Sequence, residues 1–192
     1  MNKAVFLDRD GTIAEDVNYC RKPEDFRIFP WAPEAIRMLN GAGFKVIVIT
    51  NQSGIARGYF TEEMLAQIHE KMLKELAEQG ARIDGVYYCP HHPDDNCECR
   101  KPKTALFQQA AKDFNLDLKT SWVVGDSWRD IEAGRRIGTK TILVKSGPSR
   151  GNEDCDPPDF IAENLLEAAK RIIGARDSGL EIGERRTLNV EL

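Results

Sequence analysis

At 192 residues, of which 41% are hydrophobic and 30% charged, the chain carries enough apolar material for one buried core and too much for a disordered or fibrous protein. Its formal net charge of −4 supplies no basic field, which sets aside nucleic acid and anionic membrane as partners and favours a small molecule. The first apolar stretch is too short for a secretion signal, and no run approaches the roughly 20 residues of a membrane span.

Ala4-Val5-Phe6-Leu7 forms a first strand that runs into Asp8-Arg9-Asp10-Gly11-Thr12. In extended backbone, residues two apart face the same way, so Asp8 and Asp10 address one ligand and Arg9 points elsewhere. A calcium loop is excluded, because counting from Asp8 the sixth position needs glycine and holds Ile13. Between Gly11 and Pro30 polar and turn residues prevail, yet Phe26 and Ile28 alternate with charges, which predicts a small hairpin or flap. Pro33 to Asn40 reads as a helix with proline first and Gly41 as its stop. The β-branched run Val46-Ile47-Val48-Ile49-Thr50 predicts a strand buried on both faces. A second helix starts at Thr61 as N-cap, with Leu65, Ile68, Met72 and Leu76 on its inner stripe and His69 beside it.

Val86-Tyr87-Tyr88, Trp122-Val123-Val124 and Thr141-Ile142-Leu143-Val144 are further strands. Lys103 to Phe114, Arg129 to Arg136 (closed by Gly138) and Leu165 to Ile173 are further helices, and Lys145 to Asp159 reads as a loop. This alternation predicts an α/β fold, a Rossmann-like parallel sheet of about five strands with helices on both faces and three layers in all. Residues 1–174 form the domain, and residues 175–192 form a polar tail, loosely packed or engaged with a neighbour.

Three polar residues, Asp8, Thr50 and Asp126, fall at the C-terminal ends of three strands, the edge where open parallel sheets bind ligands. Asp130 then sits near the start of a helix, placed either to support a metal bound at Asp126 or to favour the helix N-terminus. The five cysteines are odd in number, and Cys89, Cys97 and Cys99 cluster beside two of the three histidines. Such clustering points to a metal loop over residues 89–99 in a reducing, cytosolic setting, not to a disulfide framework. Cys89, His91, Cys97 and Cys99 make the Cys₃His set of a closed zinc site, with His92 as the alternative to His91. Cys20 and Cys155 are read as structural or incidental.

Asp8-Arg9-Asp10-Gly11-Thr12, Thr50, Lys101 and Gly125-Asp126 resemble, in order, the four motifs of haloacid dehalogenase superfamily phosphatases. The resemblance implies that Asp8 is a nucleophile, that Asp10 is the general acid and base, and that Mg²⁺ binds Asp8, Asp126 and the Asp10 carbonyl. It implies a phosphate clamp of Thr50, Asn51 and Lys101, continued by Gln52 and Ser53. The zinc loop is similar to that of two sister branches, the D-glycero-D-manno-heptose-1,7-bisphosphate 7-phosphatases and the histidinol-phosphate phosphatases. Thr50 through Gly58 resembles the heptose form, which implies sugar contacts from Asp16, Asn18 and Tyr19 and capture of a second phosphate by Arg100. Two departures stand against it: the interval from His91 to Cys97 is short, and Ser127 replaces a lysine found in some heptose enzymes. No insertion between motifs is long enough for a large cap domain, so a monomer acting on a small phosphorylated sugar is expected. The other classes of reading are a phospho-accepting regulatory domain and a silent zinc-stabilised scaffold.

Overall fold

The computed structural model describes residues 1–148 and 156–177. Cys155 and, beyond Asp177, the expected tail lie outside the described residues.

Six parallel strands, β1 (Ala4–Leu7), β2 (Lys45–Asn51), β3 (Gly85–Cys89), β4 (Trp122–Gly125), β5 (Lys140–Val144) and β6 (Phe160–Ala162), pair in the order β3-β2-β1-β4-β5-β6. Among the described residues four α-helices link them, α1 (Ala32–Gly41), α2 (Glu62–Glu78), α3 (Ala105–Asp113) and α4 (Trp128–Arg136), and a fifth, α5 (Leu165–Asp177), follows β6. The two-residue period of β1 divides the core. Val5 and Leu7 join Val46, Val48 and Val124 under residues of α1, α2 and α5, such as Ile36, Ile68 and Ala168. Ala4 and Phe6 join Ile47, Ile49 and Val123 under Phe107 and Ala110 of α3 and Ala133 of α4. β2 is buried on both faces, which is why its β-branched run never alternates with polar residues.

The sheet has six strands instead of the expected five. β6 is three residues long, with Ile161 54% exposed, so it offers no periodic signal. Pairing with β5 creates it, helped by the Asp159 carboxylate, which accepts from the Thr141 N–H (2.8 Å) and hydroxyl (2.9 Å). The first helix starts one residue earlier than expected and absorbs Gly41; the left-handed turn falls at Gly43, with φ 78°. The last helix, α5, continues past Gly174 to Asp177. The flap exists, but as turns joined by single bridges, Asp10 to Ala14 and Ala14 to Ile28, with Phe26 buried.

Ligand chemistry is directed to one place by topology. The strand order reverses between β1 and β4, and their C-terminal ends open a crevice there. Asp8 leaves β1 and Asp126 leaves β4 at that point.

Close contact between α4 and the sheet depends on Gly134, where an added Cβ would lie 2.6 Å from Thr141 Cγ2 and 3.0 Å from Val123 Cβ. Alanine in a helix ordinarily stabilises by about 1 kcal/mol over glycine. At Gly134 overpacking opposes that gain, and Gly134→Ala is expected to lower stability by about 1–3 kcal/mol. Urea unfolding checks the sign; an unchanged or raised midpoint would show that α4 lifts freely.

Candidate active site

A cleft of about 320 Å³ opens at the switch point, lined among others by Asp8, Asp10, Asp126, Asp130, Arg100 and Lys101. The expected Asp16, Tyr19, Thr50, Asn51, Gln52 and Ser53 also line it, whereas Asn18 does not. Asn18 instead turns the flap at φ 52°, its N–H bonded to Asp16 Oδ1 at 2.9 Å.

Lys101 occupies the centre, 3% exposed, its Nζ 2.9 Å from Asp8 Oδ1 and 2.6 Å from Asp130 Oδ1 and donating to the Ile49 carbonyl at 2.7 Å. Burial alone would lower its pKa, but Asp130 and Asp8 raise it above the ordinary value, so the amine stays charged. Asn51 fixes the lysine from β2: its Oδ1 accepts from the Lys101 N–H (3.0 Å) and its Nδ2 donates to the Lys101 carbonyl (3.2 Å). The Asn51 side chain, expected at the phosphate, is thus engaged in holding Lys101. Asp130 caps the start of α4, one of the two roles left open by the sequence, and also pairs with Lys101, which neither role included. It closes a capping box on α4, accepting from the Ser127 N–H at 3.2 Å, and its other oxygen takes Lys101.

One ammonium stands among three carboxylates, Asp8, Asp126 and Asp130, whose ligand oxygens lie within 4.8 Å of one another. Burial pushes Asp8 up to about 6, with Asp130 and Asp10 adding to it against Lys101. Asp126 is pushed up to about 8 by burial and then by Asp8 and Asp130. With Asp130 engaged by Lys101 and the capping box, Asp8 and Asp126 remain as a crowded, oxygen-only pair. One ammonium for three carboxylates leaves an excess of negative charge, and such an oxygen-only pair fits a hard divalent cation such as magnesium. Backbone wraps Asp126 closely. Gly11, at φ 79°, would place a Cβ 2.5 Å from Asp126 Oδ2, and a Cβ at Gly147 would crowd the same oxygen.

Asp10 is gripped separately. Arg9 Nε and Nη2 donate to its Oδ1 (3.1 Å) and Oδ2 (2.8 Å), and Gln52 Nε2 donates to Oδ2 (2.9 Å) and to Thr50 Oγ1 (2.9 Å). Arg9, expected to point away, curls back along its own strand end and is fully buried. Its Nη1 meets His69 Nε2 at 3.2 Å. Facing a donor, Nε2 must accept, and burial with the Arg9 charge pushes the imidazole down to about 3, so it is neutral with its proton on Nδ1.

Cys89, Cys97 and Cys99 converge with His91 Nδ1 on one point, the Sγ–Sγ separations being 3.0–3.5 Å without a disulfide. His91 Nδ1 lies 3.2 Å from Cys99 Sγ, while His92 Nδ1 instead accepts from the Asp94 N–H. Three thiols and one imidazole suit zinc. Burial raises the Cys89 pKa, whereas at Cys97 hydrogen bonds from Cys99 and Cys89 overcome burial and bring it to about 7.

Sequence reasoning missed Arg9, His69, Arg57 and Arg129 as site residues. Arg57 and Arg129 line the cleft, and Arg57 sits 6.0 Å above the Tyr19 ring, which in turn meets Tyr59 edge-on. A usable signal existed only for His69, a titratable residue one position from the inner stripe of α2, where burial demands a partner.

A HAD-hydrolase-like family model matches residues 98–168. The D-glycero-beta-D-manno-heptose-1,7-bisphosphate 7-phosphatase of Pasteurella multocida is 39% identical over 183 residues, 92% of this chain and 100% of that protein. The crystal structure of the D,D-heptose 1,7-bisphosphate phosphatase of B. bronchiseptica, complexed with magnesium and phosphate, is similar with a TM-score of 0.83. Identity there is 35%, over 90% of this chain and 98% of that one. The enzyme of the same description from Burkholderia thailandensis gives a TM-score of 0.69 at 32% identity, over 89% and 98% of the two chains.

The depressed pKa of His69 makes stability depend on pH. Below its ordinary value of 6.5 the unfolded chain takes up a proton that the folded protein refuses until about 3, so this group's contribution is complete above 6.5 and is lost as pH falls toward 3. The raised carboxylates of metal-free Asp8 and Asp126 act in the opposite direction. A difference measurement separates the two: His69→Gln is expected to lose less stability than wild type between pH 7 and pH 4, read from urea midpoints. Parallel profiles would mean that His69 titrates alike in the folded and unfolded protein.

Proposed function

The chain belongs to the haloacid dehalogenase-like hydrolases, in their D-glycero-D-manno-heptose-1,7-bisphosphate 7-phosphatase branch, and we propose that it removes the 7-phosphate of that sugar through a phosphorylated Asp8. The observation that carries this reading is the buried contact of Lys101 with Asp8 at the end of β1, beside Asp126.

A carboxylate nearing a phosphate dianion meets like charges, each repelling by about 4 kcal/mol at 4 Å for an effective dielectric near 20. Lys101 offsets part of that repulsion from within the site. A magnesium ion bound by Asp8, Asp126 and the Asp10 carbonyl supplies further positive charge to the phosphoryl oxygens. Asp8 attacks phosphorus, the bond from phosphorus to the sugar oxygen breaks, and Asp10 gives that oxygen a proton. Asp10 then takes a proton from water as the water oxygen attacks phosphorus and the bond to Asp8 breaks, releasing phosphate, freeing the Asp8 carboxylate and returning Asp10 to its protonated form. Thr50 and Ser53 line the cleft beside the phosphate, and Asp16 and Tyr19 bring the flap to the sugar.

Arg100 takes the second phosphate in this reading. Its Nη1 is buried without a hydrogen-bond partner, and burial, with the nearby charge of Arg129, holds its pKa below the ordinary value. Such a guanidinium gains a fork of charge-assisted hydrogen bonds when a dianion enters. Zinc on Cys89, His91, Cys97 and Cys99 fixes the segment that delivers Arg100 and Lys101. Reduced thiols of this kind belong to a reducing compartment, and we read the protein as a cytoplasmic monomer. Among the described residues no helix is long and apolar enough to cross a membrane.

Phosphate release from heptose 1,7-bisphosphate and from histidinol phosphate, compared with magnesium present, tests the assignment. Asp8→Asn should abolish turnover of both, since an amide is not a nucleophile. Arg100→Ala should cost the bisphosphate about tenfold or more in kcat/KM and a monophosphate little, because only the bisphosphate uses that guanidinium. A higher kcat/KM on histidinol phosphate would overturn the substrate, and turnover by Asp8→Asn would overturn the mechanism.

Protein prepared without chelators is expected to hold one zinc per chain by elemental analysis, retained when magnesium is stripped. Cys97→Ser should lower zinc content and melting temperature together. Zinc-free wild-type protein of unchanged stability would remove the site.

A further inference from the structure

A fully buried guanidinium is tolerated only when its donors are engaged, and the contacts of Arg9 point to a single beneficiary. Nε and Nη2 hold the two oxygens of Asp10, Nη1 is set against His69 Nε2 at 3.2 Å, and the Phe26 ring of the flap lies 5.6 Å from Cζ. An ionised carboxylate has about four acceptor sites, two on each oxygen. Arg9 Nη2 and Gln52 Nε2 fill both on Oδ2, and Arg9 Nε fills one on Oδ1. One acceptor site remains, on Oδ1.

We infer that Arg9 and His69 are positioning residues for the proton transfer, with His69 orienting Arg9 and Arg9 together with Gln52 leaving Asp10 Oδ1 as the oxygen that carries the proton. The inference rests on Asp10 being the proton donor of the proposed reaction. His69 reaches this chain from α2, is 8% exposed, and lines a shallow cavity with Tyr88 and Leu73 that shares no lining residue with the catalytic cleft. It therefore acts on the reaction only through Arg9. Its neutral state supplies the lone pair that Arg9 needs; a protonated imidazole would turn that contact into a repulsion between two donors.

The test exploits the leaving group. A sugar alkoxide needs a proton as it departs, whereas p-nitrophenolate does not, so misplacing the proton donor penalises the sugar substrate selectively. kcat/KM, which covers the steps through phosphoryl transfer to Asp8, is measured on heptose 1,7-bisphosphate and on p-nitrophenyl phosphate. Asp10→Asn is expected to lose on the order of 10²–10⁴-fold on the sugar and far less on the aryl ester. His69→Leu, which keeps the packing and removes the acceptor, is expected to lose about tenfold or more on the sugar and under about threefold on the aryl ester, mainly in kcat and not in KM. His69→Gln, whose amide oxygen can accept from Arg9, should recover most of that loss. Thermal unfolding of each variant confirms folding; if His69→Leu fails to fold, Arg9→Lys, which keeps the charge without the fork, takes its place with the same expectation.

Equal losses on both substrates in His69→Leu, or identical behaviour of the Leu and Gln variants, would overturn the positioning role while leaving Asp10 as the acid. Equal losses on both substrates in Asp10→Asn would overturn the acid role of Asp10 and the positioning inference with it.

Discussion

The organisation of this protein turns on one buried ammonium. Lys101 is almost without solvent contact, and its charge is tolerated because Asp8, Asp130 and the Ile49 carbonyl take its three N–H groups. Each partner comes from a different part of the fold: Asp8 follows β1, Ile49 belongs to β2, and Asp130 opens α4. The lysine cannot adopt this geometry unless three crossovers have closed correctly, so the charge that serves the phosphate also reports that the sheet is assembled. Asn51 holds the Lys101 backbone through both its N–H and its carbonyl.

Carboxylates crowd around that single cation. In water such a cluster would separate; here β1 and β4 fix it in place, and burial raises the pKa values of Asp8 and Asp126. Proton and metal ion are thus alternative answers to the same electrostatic demand. Asp10 stands apart from this competition, because Arg9 neutralises it locally. Asp8 and Asp10, two positions apart, thus stand in different surroundings, one crowded by carboxylates and the other held by arginine.

Much of this was legible in the sequence, for identifiable reasons. Strand ends are marked by an abrupt change from β-branched residues to aspartate or threonine, so Asp8, Thr50 and Asp126 could be located without coordinates, and the parallel order places them together. Spacing alone revealed the thiol cluster. β6 was invisible because three residues carry no period, and its existence depends on Asp159 meeting Thr141 eighteen positions away. Arg9 was misjudged by strand geometry, which fixes where Cβ points but not where five further side-chain bonds lead. Gly147 was a loop glycine until Asp126 was found against it.

Ser127 shows how such a site diverges without losing its balance. Its hydroxyl accepts from the Arg129 N–H at 3.2 Å and forms half of the α4 capping box, a role that serine fills well and the lysine of some heptose enzymes cannot. The positive charge missing at that position is not missing from the cleft, since Arg129, two residues later, lines it. A serine at such a helix start is worth about 1 kcal/mol over alanine. Asp126 is thus followed by a residue that shapes the start of α4 and also lines the cleft, so the helix start and the wall beside Asp126 are set by one short side chain.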